Sequence, residues 1–390
     1  MAECFDDILK MLPKIKETCD KLQEIVLANL VMIGEIPAPT FGEKARVEFL
    51  RQRLSENGLQ NCSIDEVDNA AGILPGKDPD AGTVMAVPHT DPVSSAKADH
   101  TYEVRNNVIS GAGVSDNSLG LAVMASLPRV FEELGIELRS DLLILGASRS
   151  LGRGNLEGLR FFLNHTDRRP RAGVCIEGVQ LGRLSMNSIG MLRGEITCSV
   201  GEKYDWTRFG TTNAILTLNE VITKILEVPT PRRPRTSIVL GSIEGGTSFN
   251  TIATNAVLRF EIRSESKQMV EDIATRMEDI IAAVESQTES DVRLDIFARR
   301  EPGGISQQHP MARCVKAIMR ELEINPRFAP STSELSAFID QGIPAVTVGI
   351  TTAEHLNEPH ETVNIERIFD GMAQLVAILL AIDGGYCDED

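Results

Sequence analysis

Four short apolar runs decide most of what this chain can fold into. Thr83–Pro88 leads to His89, and Leu142–Ala147 leads to Ser148-Arg149-Ser150. Ala172–Ile176 leads to Glu177, and Ala345–Ile350 leads to a loop holding His355 and Asn357. None of the runs alternates apolar with polar, so a strand made from any of them is buried on both faces. Helical stretches separate them, which predicts a largely parallel sheet covered by helices. Ligands in such sheets gather beyond the carboxyl ends of the strands, where these polar residues fall.

The flanking segments fit that plan. Phe5 to Gly58 reads as helical with breaks, carrying Val47, Leu50 and Leu54 at helical spacing and ending on Gly58 as a C-cap. The stretch from Pro37 to Gly42 interrupts it. Helices are expected again over His309–Ile324 and Ile365–Ile382.

Between Met186 and Pro302 the texture changes. A strand at Gly194–Gly201 precedes a helix at Thr212–Val228 with Ile215, Leu218, Ile222 and Ile225 on one face. Strands follow at Ser237–Ile243 and Ala256–Arg263, then a helix over Gln268–Ser286 and an alternating strand at Val292–Ala298. The order βαββαβ is that of a ferredoxin-like domain. The expected organisation is a discontinuous α/β domain of residues 1–186 and 303–390, interrupted by an α+β domain of residues 187–302.

Charge and composition exclude several function classes. Against 39 Lys and Arg stand 56 Asp and Glu, a net charge of −17. The one dense basic cluster, Arg232, Arg233 and Arg235, is broken by Pro231 and Pro234, so no nucleic-acid footprint is expected. The longest strongly apolar stretch, Leu375–Ile382, falls far short of the roughly 18 residues of a membrane helix. Met1 to Asp7 lacks the order of a signal peptide, and the seven Cys are scattered with no C-x-x-C. A cytoplasmic protein with reduced thiols is the expectation.

Two motifs carry chemistry. In His89-Thr90-Asp91 the two side chains of an extended chain face the same way, so a carboxylate can orient an imidazole for metal binding. Gly111 to Gly120 is a glycine-flanked turn around Ser115-Asp116-Asn117. Asp116 occupies the place of the third glycine of a dinucleotide fingerprint, and a carboxylate suits a divalent metal rather than a phosphate. An Asx turn capping a helix is the structural alternative for Asp116. No Gly-x-Ser-x-Gly elbow marks a nucleophilic serine.

Taken in order, seven pieces resemble one family. They are Ile36-Pro-Ala-Pro-Thr-Phe41, His89-x-Asp91, Ser115-Asp116-Asn117, Ile176-Glu177-Gly178, Gly245-Gly246-Thr-Ser-Phe-Asn250, Glu261-x-Arg263-Ser264, and Gly342-Ile343-Pro344 before a strand ending at Gly349. The set resembles the di-zinc exopeptidases and amidohydrolases that include peptidase T, carboxypeptidase G and aminoacylase, and is closest to their tripeptidase-like branch. The resemblance spans nearly the whole chain. It implies a zinc-binding α/β domain with a largely parallel mixed sheet, interrupted by a ferredoxin-like lid that forms a homodimer.

The resemblance also implies site residues. His89, Asp116 and Glu177 match the first metal's ligands, with Asp91 as the catalytic-site residue that orients His89. Asn250 and Arg263 match substrate-binding positions of the lid. The general-base Glu-Glu pair has no counterpart: one register puts Ser150 and Leu151 there, the other Arg149 and Ser150, and the nearest acid downstream is Glu157. Asn357 stands at the C-terminal His ligand, flanked by His355 and His360 as possible substitutes. The lid histidine is also absent from Gly201–Trp206. These departures predict an impaired or inactive homologue with a binding or regulatory role. It would hold one zinc ion at most, or none, and take a small peptide or N-acyl amino acid. The alternative is an active amide hydrolase with a rearranged site and two ions.

Overall fold

The computed structural model describes residues 4–201, 212–288, 290–331, 333–356, 358 and 360–389. The chain forms two compact units, Met1–Ser188 with Gly304–Asp390, and Ile189–Gly303.

The first unit is built on an eight-stranded mixed sheet. Its strands are β1 (Gln60–Ile64), β2 (Ala70–Leu74), β3 (Thr83–Val87), β4 (Asp141–Gly146), β5 (Ala172–Val179), β6 (Arg183–Ser185), β7 (Arg327–Phe328) and β8 (Ala345–Thr351). The spatial order is β1-β2-β4-β3-β5-β8-β6-β7. The four strands read from the apolar runs, β4, β3, β5 and β8, lie side by side and parallel. Burial on both faces is direct. Val84, Ala86, Leu142, Ile144, Val174, Ile176, Val346 and Val348 face one core, while Met85, Val87, Leu143, Leu145, Cys175 and Ala345 face another. Among the described residues, eight α-helices belong to this unit: α1 (Phe5–Lys21), α2 (Gln23–Gly34), α3 (Lys44–Glu56), α4 (Leu119–Leu134), α5 (Glu157–His165), α6 (Pro310–Glu321), α7 (Leu335–Asp340) and α8 (Ile365–Asp383). α1 and α8 share the first core through Ile8, Leu12 and Ile15 with Phe369, Met372 and Val376, and α5 and α7 cover the second through Leu159 and Phe338. No helix among the described residues is long and apolar enough to cross a membrane.

The second unit has the predicted βαββαβ order. Strands Thr236–Gly245, Asn255–Ser264, Gly190–Val200 and Ser290–Arg300 lie side by side in that order, all antiparallel. Helices Ala214–Leu226 and Lys267–Gln287 share one core with a single face of that sheet. The first helix buries a different stripe from the one expected. Ala214, Leu218, Val221 and Ile225 are buried, whereas Ile215 is 40 % exposed and Ile222 is half-buried. At 100° per residue, Ile215 and Ile222 sit about 90° from the centre of the buried stripe, so the apolar arc is wider than the buried one. The turn at residues 202–206, read as lacking a histidine, lies outside the described residues.

Candidate metal centre

The loops beyond β3 and β4 are tied together, which fixes His89 in the sheet's mouth. Ala147 N–H donates to the Pro88 carbonyl at 2.9 Å, and Thr90 N–H donates to the Ala147 carbonyl at 2.7 Å. His89 is buried. Its Nδ1 lies 2.9 Å from the backbone carbonyl of Asp91 and 3.5 Å from the Asp91 carboxylate. The Asp91 carbonyl makes the shorter contact with the ring, and the Asp91 carboxylate, expected to orient it, the longer one. Nε2 lies 2.9 Å from Asp116 Oδ1. Burial opposes a charge on this imidazole, but the contacts with Asp116 and Asp91 hold its pKa well above the ordinary value. A metal at Nε2 would displace that proton, while Nδ1–H keeps its bond to the carbonyl.

Asp116 reaches His89 because its turn is clamped to β5. Gly113 opens the turn at φ +70°, where a Cβ would also lie 2.7 Å from Pro92 Cβ. Asn117 then bridges to the strand: its Nδ2 donates to the Ile176 carbonyl at 2.7 Å, and its Oδ1 accepts from Gly178 N–H at 2.9 Å. A Cβ on Gly178 would sit 2.0 Å from the Ser115 carbonyl oxygen, so only glycine lets the turn come this close. Asp116 caps no helix; α4 starts at Leu119, after Ser118.

One ligand atom from each of His89, Asp116 and Glu177 lies within 4.8 Å of the others. Burial acts to raise the carboxyl of Asp116, but the bond to His89 and the charges of His89 and Arg183 hold it below the ordinary range. Burial pushes Glu177 up, aided by Asp116 and Glu334, against Arg183 and His89. An imidazole with two carboxylates suits a divalent metal ion.

The turn after β4 offers no acid side chain. Ser150 and Leu151 instead turn their N–H groups onto the Asp91 carboxylate, at 3.1 and 2.9 Å, and Thr40 donates its hydroxyl to the same group at 2.8 Å. The Ser150 hydroxyl is buried and has no hydrogen-bond partner among the described residues. Arg149 pairs with Glu157 at 2.8 Å and Asp68 at 3.3 Å and stacks 5.9 Å over the Phe41 ring. Two acids accept the turn's backbone N–H groups: Asp91, and Glu43, whose Oε1 accepts from Arg149 N–H at 2.8 Å.

The C-terminal loop histidines stand apart from the His89 group. His355 and His360 gather on Glu358, at 3.6 and 3.1 Å, and all three are exposed. Asn357 lies outside the described residues. The next residue inward, Glu361, is buried and accepts a hydrogen bond from the Ser115 hydroxyl. In the second unit, Asn250 lies in an exposed turn and accepts from the Ser248 hydroxyl at 3.3 Å, while Arg263 pairs with Glu261.

Four residues beside the centre were not singled out from sequence. Glu43 and Glu334 are buried carboxylates, each with one oxygen lacking a hydrogen-bond partner. Glu361 directly follows His360 in the C-terminal loop. Arg183 lies six residues beyond Glu177, on the strand that folds back after it. Burial distinguishes Glu43, Glu334 and Glu361, while half-buried Arg183 is distinguished by lying 3.9 Å from Glu177.

Residues 209–289 match the model of the M20 peptidase dimerisation domain. A search of curated protein sequences found no significant match. Among solved structures, the chain is similar to a tripeptidase from Staphylococcus aureus, with 16 % identity, TM-score 0.74, and 93 % of this chain and 99 % of that one covered. It is similar to human carnosine dipeptidase 1, with 13 % identity, TM-score 0.76, and 96 % and 99 % covered. It is also similar to the Bacillus subtilis YxeP protein, described as a dinuclear metal-binding peptidase from the M20 family, with 12 % identity, TM-score 0.65, and 93 % and 99 % covered. The chain thus has the fold of the M20 metallopeptidases and carries that family's dimerisation-domain signature in its second unit.

Proposed function

We propose that this is an M20-type protein with a degenerate centre, a homodimer through its second unit that binds a small peptide or N-acyl amino acid and hydrolyses it poorly or not at all. The observation that carries the reading is the turn after β4, where Arg149, Ser150 and Leu151 leave no general base and no second-metal carboxylate. His89, Asp116 and Glu177 are the residues that would hold one zinc ion. Such an ion, when bound, supplies a Lewis acid that polarises an amide carbonyl. His89 keeps its orientation through Nδ1–H, and Asn117 holds Asp116 against Glu177. A general base typically contributes about 10²–10⁴ in rate. At about 1.36 kcal/mol per tenfold, its loss raises the barrier by about 3–5.5 kcal/mol. Asn250 and Arg263 remain the lid's ligand-binding candidates, and seven free thiols support a cytoplasmic location. The test is turnover of di- and tripeptides and N-acetyl amino acids by protein supplied with zinc, manganese or cobalt. Turnover absent or slowed by about 10²-fold or more is expected; ordinary metallopeptidase rates would overturn the reading.

A second reading, an active hydrolase with a rearranged site, draws on Glu361. Its carboxyl is pushed up to about 7 by burial and by the charge of Asp116, a range suited to moving protons near neutral pH. Turnover that disappears in Glu361→Ala would favour it.

A further inference from the structure

Two of the seven thiols meet where the chain folds back after α8. Gly384 and Gly385 reverse its direction, and the N–H groups of Gly384, Gly385 and Tyr386 donate to the carbonyls of Leu380, Ile382 and Ala381 at 2.9, 3.0 and 3.0 Å. The return lays Tyr386 and Cys387 against α6. Cys314, on α6, donates its thiol to the Tyr386 carbonyl at 3.2 Å. One peptide bond of about 1.33 Å joins that carbonyl to the Cys387 nitrogen, so the Cys314 sulfur lies against the Cys387 backbone. The two thiols also interact directly. Cys387 holds Cys314 below the ordinary thiol range, against the effect of burial, while Cys314 and then burial push Cys387 up. The segment is pinned beyond the pair, where Asp388 meets Arg171 at 2.8 Å and Glu389 lies 3.5 Å from Nε2 of His309, the residue that caps α6. Cys387 lines a cavity of about 550 Å³ with Arg171, His309, Pro344, Ala345 and Asp388. Pro344 and Ala345 open β8, so the pair stands at the other end of that strand from the metal centre.

We propose that Cys314 and Cys387 form a modification site, a dithiol that hydrogen peroxide converts to a disulfide fastening the segment after α8 to α6. Cys314 is the readier thiolate of the two and, at 8 % exposed against 1 %, the more accessible residue. Its sulfur attacks one peroxide oxygen. The O–O bond breaks, an S–O bond forms, and the departing hydroxide takes up the proton that Cys314 has lost, leaving as water. The Cys387 sulfur then attacks the sulfenic sulfur. The S–S bond forms, the S–O bond breaks, and the departing hydroxide takes the Cys387 proton as a second water. Both sulfurs are oxidised and both peroxide oxygens reduced. A thiol reductant reverses the bond by exchange, so the pair stays open in a reducing compartment and closes under peroxide.

The test treats full-length, fully reduced protein with hydrogen peroxide, then counts thiols after denaturation and maps peptides by mass spectrometry without reductant. The count should fall from seven to five, with a Cys314–Cys387 linked peptide that dithiothreitol removes. The bond closes a loop of about 70 residues, so the oxidised protein should melt roughly 5–10 °C above the reduced one. In Cys387→Ser, Cys314 has no partner thiol, and dimedone should trap it as the sulfenic acid. Both thiols still titratable after peroxide overturn the proposal, as does a link from either cysteine to any other. A linked peptide with unchanged melting overturns the fastening role. Absence of the dimedone adduct on Cys314 in Cys387→Ser overturns the order of the two steps.

Discussion

Replacing Glu361 by glutamine should change how stability depends on pH. Glu361 is 1 % exposed and accepts the Ser115 hydroxyl, a bond that the glutamine oxygen can also accept. Burial, then the charge of Asp116, push its carboxyl from 4.5 to about 7. The shift is upward, so between these values the native chain holds the proton more tightly than the unfolded chain. Stability therefore falls as pH rises through that window, and the penalty is complete above it. A shift of about 2.5 units corresponds to about 3 kcal/mol. For a unit of this size, that is a melting-temperature difference of roughly 6 °C. The assay is thermal unfolding of chelator-treated wild type and Glu361→Gln, followed by circular dichroism at about pH 5 and about pH 8. The two should melt within a degree or two of each other at the lower pH, with the variant higher by roughly 6 °C at the upper one. An equal difference at both pH values would refute the argument, because it would show that no proton is bound at Glu361 in the folded state.

Three other substitutions probe the scaffold around the centre. Arg46 is fully buried and donates to the carbonyls of Gly34, Ile36 and Thr90, so Arg46→Ala should lose about 3–5 kcal/mol in denaturant unfolding. In Asp91→Asn an amide group would face the N–H groups of Ser150 and Leu151 that the carboxylate now accepts, and a loss of about 1–3 kcal/mol by the same measurement is expected. Gly178→Ala places a methyl against the Ser115 carbonyl, which should push the Asp116 turn off β5. Zinc affinity should drop by about 10–100-fold in a competition titration while circular dichroism stays native.

The sequence determined the parts of this protein that depend on local pattern. Short runs without alternation, such as Thr83–Pro88 and Ala345–Ile350, fit strands covered on both faces, and strands Thr83–Val87 and Ala345–Thr351 are buried on both. The βαββαβ order of the second unit follows from period and punctuation alone. The short spacing of His89-x-Asp91 placed both residues in the mouth of the sheet. What it could not specify was which group of Asp91 lies nearer the ring, because the backbone carbonyl and the side-chain carboxylate belong to the same residue.

The rest was decided by tertiary structure. Asp116 meets Glu177 only because the Asn117 amide bridges two strand peptides and Gly178 has no side chain. Glu43, Glu334 and Glu361 come to the centre from three distant segments, and nothing local separates them from the many solvated acids of a chain with 56. Arg183 comes near the centre through a tight return after β5 that sets its guanidinium 3.9 Å from a carboxylate six residues earlier. Periodicity is a property of neighbours in the chain and can be read from it. Burial and charge pairing are properties of neighbours in space, so they exist only once the chain has folded.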